Sequence, residues 1–226
     1  MRIFKKLFSR NEYIENQINR SNDKFNYCKV SYDHVYTWFK ILKKIDINSL
    51  ENICCLGSRN GREVDLFRII FNNFFISPLV KLTEIRRNGW SNLPSSLLSF
   101  KRSNINVLSN NINVHGVEIN PAGKREDTLI SSFDEMPMDW EDKYDILYSN
   151  SFDQSIDPQK TADEWKRVLK NKGIIIFSFS YDKDPTESDP VGGLKFEDVL
   201  KLFGGEIIYY NKYGSNYSDI ILKIKK

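Results

Sequence analysis

Cysteine is scarce in this chain, with three among 226 residues. Two of the three, Cys54 and Cys55, are adjacent in an apolar segment expected to be a buried strand. That usage excludes a disulfide framework and suits a reducing compartment. Neighbouring strand residues point to opposite faces, so the pair is also a poor metal site. Histidine is scarcer still: His34 and His115 are the only two. No run of about eighteen apolar residues exists, which excludes a membrane-spanning helix. The opening MRIFKKLFSR is basic but has no apolar core followed by a small-residue cleavage site, so no secretory signal is read there. The expected location is cytoplasmic. The net charge of +3 is too small to argue for nucleic acid. Basic residues do cluster in 1–50 and 81–102, where solvated helix surfaces are the first explanation and an acidic or phosphorylated acceptor the second.

What the chain does contain is 40% hydrophobic and 13% aromatic residues, enough for one globular domain spanning 1–226. Residues 11–45 read as helical, with Tyr36, Phe39, Ile41, Leu42 and Ile45 at spacings near three and four. They dominate an N-terminal helical extension over 1–48. A strand is expected at Asn52–Leu56, followed by a turn with two glycines and a helix from near Gly61 to about Asn73. Strands are expected at 114–118 and at Thr128–Ile130, then at Tyr144–Ser149. A helix over Pro158–Leu169, a glycine turn and a strand at Ile174–Ser180 follow. Ile207–Tyr210 and Ser218–Ile224 form two closing strands.

The segment Ile53-Cys54-Cys55-Leu56-Gly57-Ser58-Arg59-Asn60-Gly61-Arg62-Glu63 is a strand, a glycine turn and the start of a helix. Such a unit opens a nucleotide-binding α/β sheet and grips its ligand with backbone. Glycine there permits positive φ and a close main-chain approach. A second segment, Val114-His115-Gly116-Val117-Glu118-Ile119-Asn120-Pro121, ends a strand on a carboxylate able to accept both hydroxyls of a ribose. Glu118 lies 57 positions after Gly61, where a compact βαβ unit has about twenty. The excess marks an insertion at 78–112, and Arg86, Arg87 and Trp90 within it favour a lid or acceptor-binding element.

With the third segment, KYDILYSNSFDQSIDPQKTADEWKRVLKNKGIIIFSFS from Lys143 to Ser180, the chain resembles a class I S-adenosylmethionine-dependent methyltransferase. The likeness spans roughly 50–226. It is tightest at 148–173, to small bacterial-type enzymes with a YSNSFDHS-DP…EW.RVLKPGG segment. The resemblance implies a Rossmann-like seven-stranded mixed sheet with a C-terminal antiparallel hairpin, an N-terminal helical cap and an insertion after the first core helix. It implies S-adenosylmethionine as cofactor. Gly57, Ser58, Arg59 and Gly61 would lie under its amino-acid part, and Glu118 and Ile119 beside its ribose. Ser132 and Phe133 would reach its adenine, and Asn150 would stand near the transferred methyl.

Three positions depart from the family pattern: Arg59 replaces a glycine, Ser132 an acid and Gln154 a histidine. Loss of that histidine removes a general base from the convenient place. Asp153 is then the candidate to orient the acceptor, and His34, with Asp33 beside it, a second candidate base. His115, Glu164 and Trp165 are read as structural. Asp182, Asp184 and Glu187, before Asp189, are read as exposed loop acids, and no metal is expected. The resemblance favours methyl transfer to oxygen or nitrogen of a small-molecule or saccharide acceptor. Two rivals stay open: a non-catalytic binding or regulatory member, and an enzyme acting on RNA or protein. A nicotinamide oxidoreductase is disfavoured because G-x-G-x-x-G is absent. Oligomeric state is not legible.

Overall fold

The computed structural model describes residues 9–45, 50–72, 112–181, 183–213 and 216–226. Arg86, Arg87, Trp90 and nearly all of the 78–112 insertion lie outside those residues, as do the first eight residues and Asp182. In chain order the elements are α1 (Arg10–Asp23), α2 (Tyr32–Lys44), β1 (Asn52–Leu56), α3 (Arg62–Phe71), β2 (Asn113–Glu118), β3 (Thr128–Ile130), β4 (Tyr144–Ser149), α4 (Pro158–Val168), β5 (Leu169–Ser180), α5 (Phe196–Phe203), β6 (Glu206–Tyr213) and β7 (Tyr217–Lys223).

The strands form one sheet in the order β3-β2-β1-β4-β5-β7-β6. β1 through β5 pair in parallel, while β7 runs antiparallel to both β5 and β6. The expected mixed sheet with its closing hairpin is what the chain forms. The order reverses between β1 and β4, and open α/β sheets bind ligands beyond the carboxyl ends of their strands at such a point.

Two apolar cores sandwich the sheet. One gathers Trp165, Phe152, Phe177 and Phe203 under α4 and α5; the other gathers Trp38, Phe67, Phe71 and Tyr148 under α2 and α3. Cys54 belongs to the first core and Cys55 to the second, as strand alternation requires. Trp165 also satisfies its indole, donating from Nε1 to the Phe133 carbonyl at 3.0 Å.

Three sequence expectations need correction. The helical stretch 11–45 is two helices, because Ser31 starts a new one: its Oγ accepts from the His34 amide, and its own amide donates to His34 Nδ1 at 3.3 Å. This reciprocal capping box fixes the start of α2. The glycine turn before β5 is not a turn. β5 begins at Leu169, and the left-handed residue is Lys172 (φ 64°), not Gly173. Gly173 is needed for space, since a Cβ there would lie 2.6 Å from Leu169 Cγ. The first closing strand is also longer than expected, at Glu206–Tyr213, and the second lies one residue earlier, at Tyr217–Lys223.

Asn72 and Ile112, the described residues on either side of 73–111, are tied together. Asn72 Nδ2 donates to the Ile112 carbonyl at 3.1 Å, and the Ile112 amide donates to Asn72 Oδ1 at 2.9 Å.

Candidate active site

A cavity of about 640 Å³ opens at the carboxyl edge of the sheet, at the switch between β1 and β4. Gly57 after β1 and Asn150 and Ser151 after β4 form its floor. The 24–29 connection between α1 and α2 forms one wall, and Ser180, Lys183 and Asp189 form the other. Its size falls within the range for small-molecule sites.

Gly57 adopts φ 77°, and a Cβ on it would sit 2.8 Å from Ser151. The two loops can therefore close on each other only with glycine there. Gly61, also at φ 77°, starts α3 without a side-chain cap. A Cβ on it would strike the Arg125 guanidinium, which is fixed by Asp65 at 2.6 Å and Asp127 at 3.0 Å. Ser149 sets the β4 end, donating from Oγ to the Leu56 carbonyl and accepting from the Ser151 amide.

Arg59, the departure in the turn, takes φ 49° and sends its guanidinium to the α1–α2 connection. It donates from Nη1 to the carbonyls of Lys24 and Tyr27, both at 3.1 Å. Asn60 and Arg62 do the same for the carbonyls of Phe25 and Asn26. The side chains of the turn thus satisfy the backbone of a connection that has no ladder of its own.

The candidate residues separate into two groups. Gly57, Arg59, Asn150 and Asp153 line the cavity. Ser58 is buried beside Gly116, and Gly61 faces Arg125. Glu118 lies under α1. Its Oε2 accepts from the Arg59 amide at 2.7 Å, and Oε1 accepts from the Asn120 amide at 3.1 Å and from Ser21 Oγ at 3.2 Å. Burial raises its carboxyl above the ordinary value despite those donors. Ile119 beside it is half-buried. Ser132 donates to Asp134, and Phe133 packs edge-on to Trp165. His34 is not among the residues that line the cavity; it caps α2 and packs against Trp38 and Tyr213.

Asp184 and Glu187 are exposed, as expected, whereas Asp189 just after them is buried. It is 1% exposed and paired with both Arg20 of α1 (Nη2 to Oδ2, 2.8 Å) and Lys183. Burial alone would raise this carboxyl, but the hydrogen bonds from Arg20 and Lys183 hold it below the ordinary value. Asp153 is half-buried nearby. Burial and then repulsion from Asp189 push its carboxyl up to about 6, against the pull of Lys183, Lys29 and Arg20.

Sequence reasoning missed Glu63. It is 5% exposed and lines the cavity, and its Oε2 has no hydrogen-bond partner among the described residues. Burial lifts it to about 7. The available signal was its place on the stripe Glu63, Phe67, Ile70, an acid on the buried face of α3. Among the described residues no cluster of His, Cys, Asp and Glu suits a metal ion. None of their helices is long and apolar enough to cross a membrane.

No protein-family model and no curated protein matches the chain. Solved structures do. An N1-methyltransferase for 1,6-didemethyltoxoflavin from Burkholderia thailandensis, crystallised with that compound and S-adenosylhomocysteine, aligns over 100% of this chain and 94% of its own at TM-score 0.58 and 10% identity. The fold is the class I methyltransferase fold. The [4+2]-cyclase SpnF shares it over 95% of this chain and 94% of its own, at TM-score 0.55 and 11% identity. A putative methyltransferase complexed with the Trm112 activator of Haloferax volcanii shares it over 97% and 100%, at 0.51 and 13%.

Proposed function

We propose that this protein transfers a methyl group from S-adenosylmethionine to an oxygen or nitrogen of a small molecule, saccharides included. The observation that carries the reading is the cavity between Gly57 and Asn150, which is lined in part by Glu63, a buried acid whose Oε2 has no hydrogen-bond partner among the described residues. A buried acceptor left unsatisfied costs about 1–3 kcal/mol, and a cationic ligand group removes that cost. The cofactor's ammonium meets Glu63, and its carboxylate meets Lys24 and the Arg59 turn. The match of 148–173 to small bacterial-type methyltransferases, and the small-molecule substrate of the Burkholderia neighbour, support the acceptor class. Three free cysteines suit a cytoplasmic setting.

The chemistry asked of the protein is mainly placement. Displacement at an activated methyl needs the acceptor atom in line, and orientation can supply roughly 7–11 kcal/mol of a barrier. Asn150 fixes the methyl end. Asp153, with its carboxyl near 6, is ionised at neutral pH yet basic enough to take the acceptor's proton as the new bond forms. The nucleoside belongs at Glu118, where Ser21 must first withdraw its hydroxyl.

Calorimetric titration with S-adenosylhomocysteine tests this reading on wild type, Glu63→Gln and Glu118→Gln. Micromolar binding by wild type and weakening in both variants are expected. A folded wild type that binds nothing would end the reading. The [4+2]-cyclase fold match favours a second one, in which the cofactor binds without donating its methyl. Tight binding with no turnover on any acceptor is its signature.

A further inference from the structure

Among the cations of the cavity, Lys29 differs from the rest. Lys183 and Arg20 are consumed by Asp189, and Arg59 is tied to the carbonyls of Lys24 and Tyr27. Lys24 is exposed, with its charge in water. Lys29 is half-buried and lines the cavity, and no carboxylate of the described residues lies within ion-pair distance of its ammonium. The Nζ instead rests 4.1 Å from the centre of the Tyr217 ring. Tyr217 begins β7 and pairs with Ser180 at the end of β5, so this contact places the charge on the β5–β7 side of the cavity, away from the Arg59 turn that follows β1. A ring face is a weaker partner than a carboxylate and leaves the ammonium's donors available.

We propose that Lys29 is a specificity residue whose ammonium seats an anionic group, carboxylate or phosphate, of the methyl acceptor. This rests on the methyltransferase reading, since it places the acceptor's charge on one side of Asp153 and the cofactor's on the other. An acceptor anchored there presents its neutral hydroxyl or amine to Asp153 and Asn150. The same anchor disfavours a neutral molecule of equal shape, because the desolvated ammonium is then left uncompensated. Burial indeed lowers the proton affinity of Lys29, with Asp153 and Asp219 only partly offsetting it and Lys183 adding to it. Asp153 faces the incoming anion, so it is the group that a misplaced negative charge would disturb.

Ligand-observed NMR titrations test the assignment with benzoate, phenyl phosphate and neutral benzamide, on protein with and without S-adenosylhomocysteine. Wild type should bind at least one anion about tenfold more tightly than benzamide, as a charge-assisted hydrogen bond predicts. Comparing benzoate with phenyl phosphate tells carboxylate from phosphate. Lys29→Met, which keeps the stem, should erase that preference and leave benzamide and S-adenosylhomocysteine binding unchanged. Lys29→Arg should restore it. Equal affinity for the three probes in wild type overturns the proposal, as does an anion preference that survives Lys29→Met. Loss of S-adenosylhomocysteine binding in Lys29→Met would also overturn it, by assigning the charge to the cofactor. A wild type with anion preference but no affinity for S-adenosylhomocysteine would remove the methyltransferase reading and leave an anion site.

Discussion

The two ends of the sheet's carboxyl edge have opposite character. At the β1–β4 end the floor is backbone and open space, and one oxygen of Glu63 has no partner among the described residues. At the β2–β3 end α1 lies on the edge, and Glu118 has its donors supplied by Arg59, Asn120 and Ser21. One end is ready for a ligand and the other is filled by the protein's own polar groups. The difference arises from the anchoring of α1, held at Arg20 by Asp189, at Gln17 by the Ser188 carbonyl and at Arg10 by Asp134 and Glu135. A site can thus be complete in its residues and still be half closed by a neighbouring helix.

The contrast breaks most severely if Asp189 is removed. Asp189→Ala leaves Arg20 and Lys183 facing each other near Asp153, and should cost about 3 kcal/mol in urea denaturation, since stranding one side of a buried ion pair is expensive. It should also free α1, seen as faster amide exchange in α1 than in α4. Next comes the turn. Gly61→Ala places a Cβ in the left-handed region against the pinned Arg125 and should cost about 1–2 kcal/mol or more. Gly57→Ala, facing Ser151, should reduce S-adenosylhomocysteine affinity as well. Equal affinities in wild type and Gly57→Ala would count against the floor of the cavity as the cofactor site.

Ser21→Ala sharpens the comparison from the other end. It takes away one donor that competes with a ribose for Glu118, so affinity for S-adenosylhomocysteine should rise about fivefold, the worth of roughly 1 kcal/mol of hydrogen bond. A fall would mean that Ser21 holds the ligand. The smallest effect is on the pH profile. Glu63 and Asp153 both have carboxyls raised in the fold, so their ionised forms are favoured in the unfolded chain. Their contribution to stability is therefore intact below the ordinary carboxylate range and is lost as pH rises through about 6 for Asp153 and about 7 for Glu63. Glu63→Gln should match wild type in thermal melts near pH 4 and exceed it at pH 8. A melting difference that does not change with pH would refute the assignment of a raised carboxyl to Glu63.

Much of the fold was legible because it depends on local pattern. Apolar runs at 52–56, 144–149 and 174–180 and the glycine at 57 announce strand and turn whatever surrounds them. The resemblance added the seven-stranded mixed sheet and its closing antiparallel hairpin. What failed locally did so for identifiable reasons. An unbroken 3.6 period hid the Ser31 cap because the motif's partner is a histidine in place of the usual Glu or Gln. Gly173 was read as a turn although it is a matter of space beside Leu169.

The site was legible only where backbone builds it. The sequence by itself determined the glycine turn, the acid ending β2 and the Ser149–Asp153 segment after β4, because each is a short stretch whose conformation follows from its own residues. Tertiary structure alone decided that Asp189 is buried between Arg20 and Lys183, and that Glu63 turns its carboxyl inward. It also decided that Lys29 meets the cavity while His34 does not, and that α1 covers Glu118. Each of these is a relation between residues far apart in the chain, fixed by how helices pack on the sheet. Charge and solvation at a site depend on that packing, and no local pattern carries it.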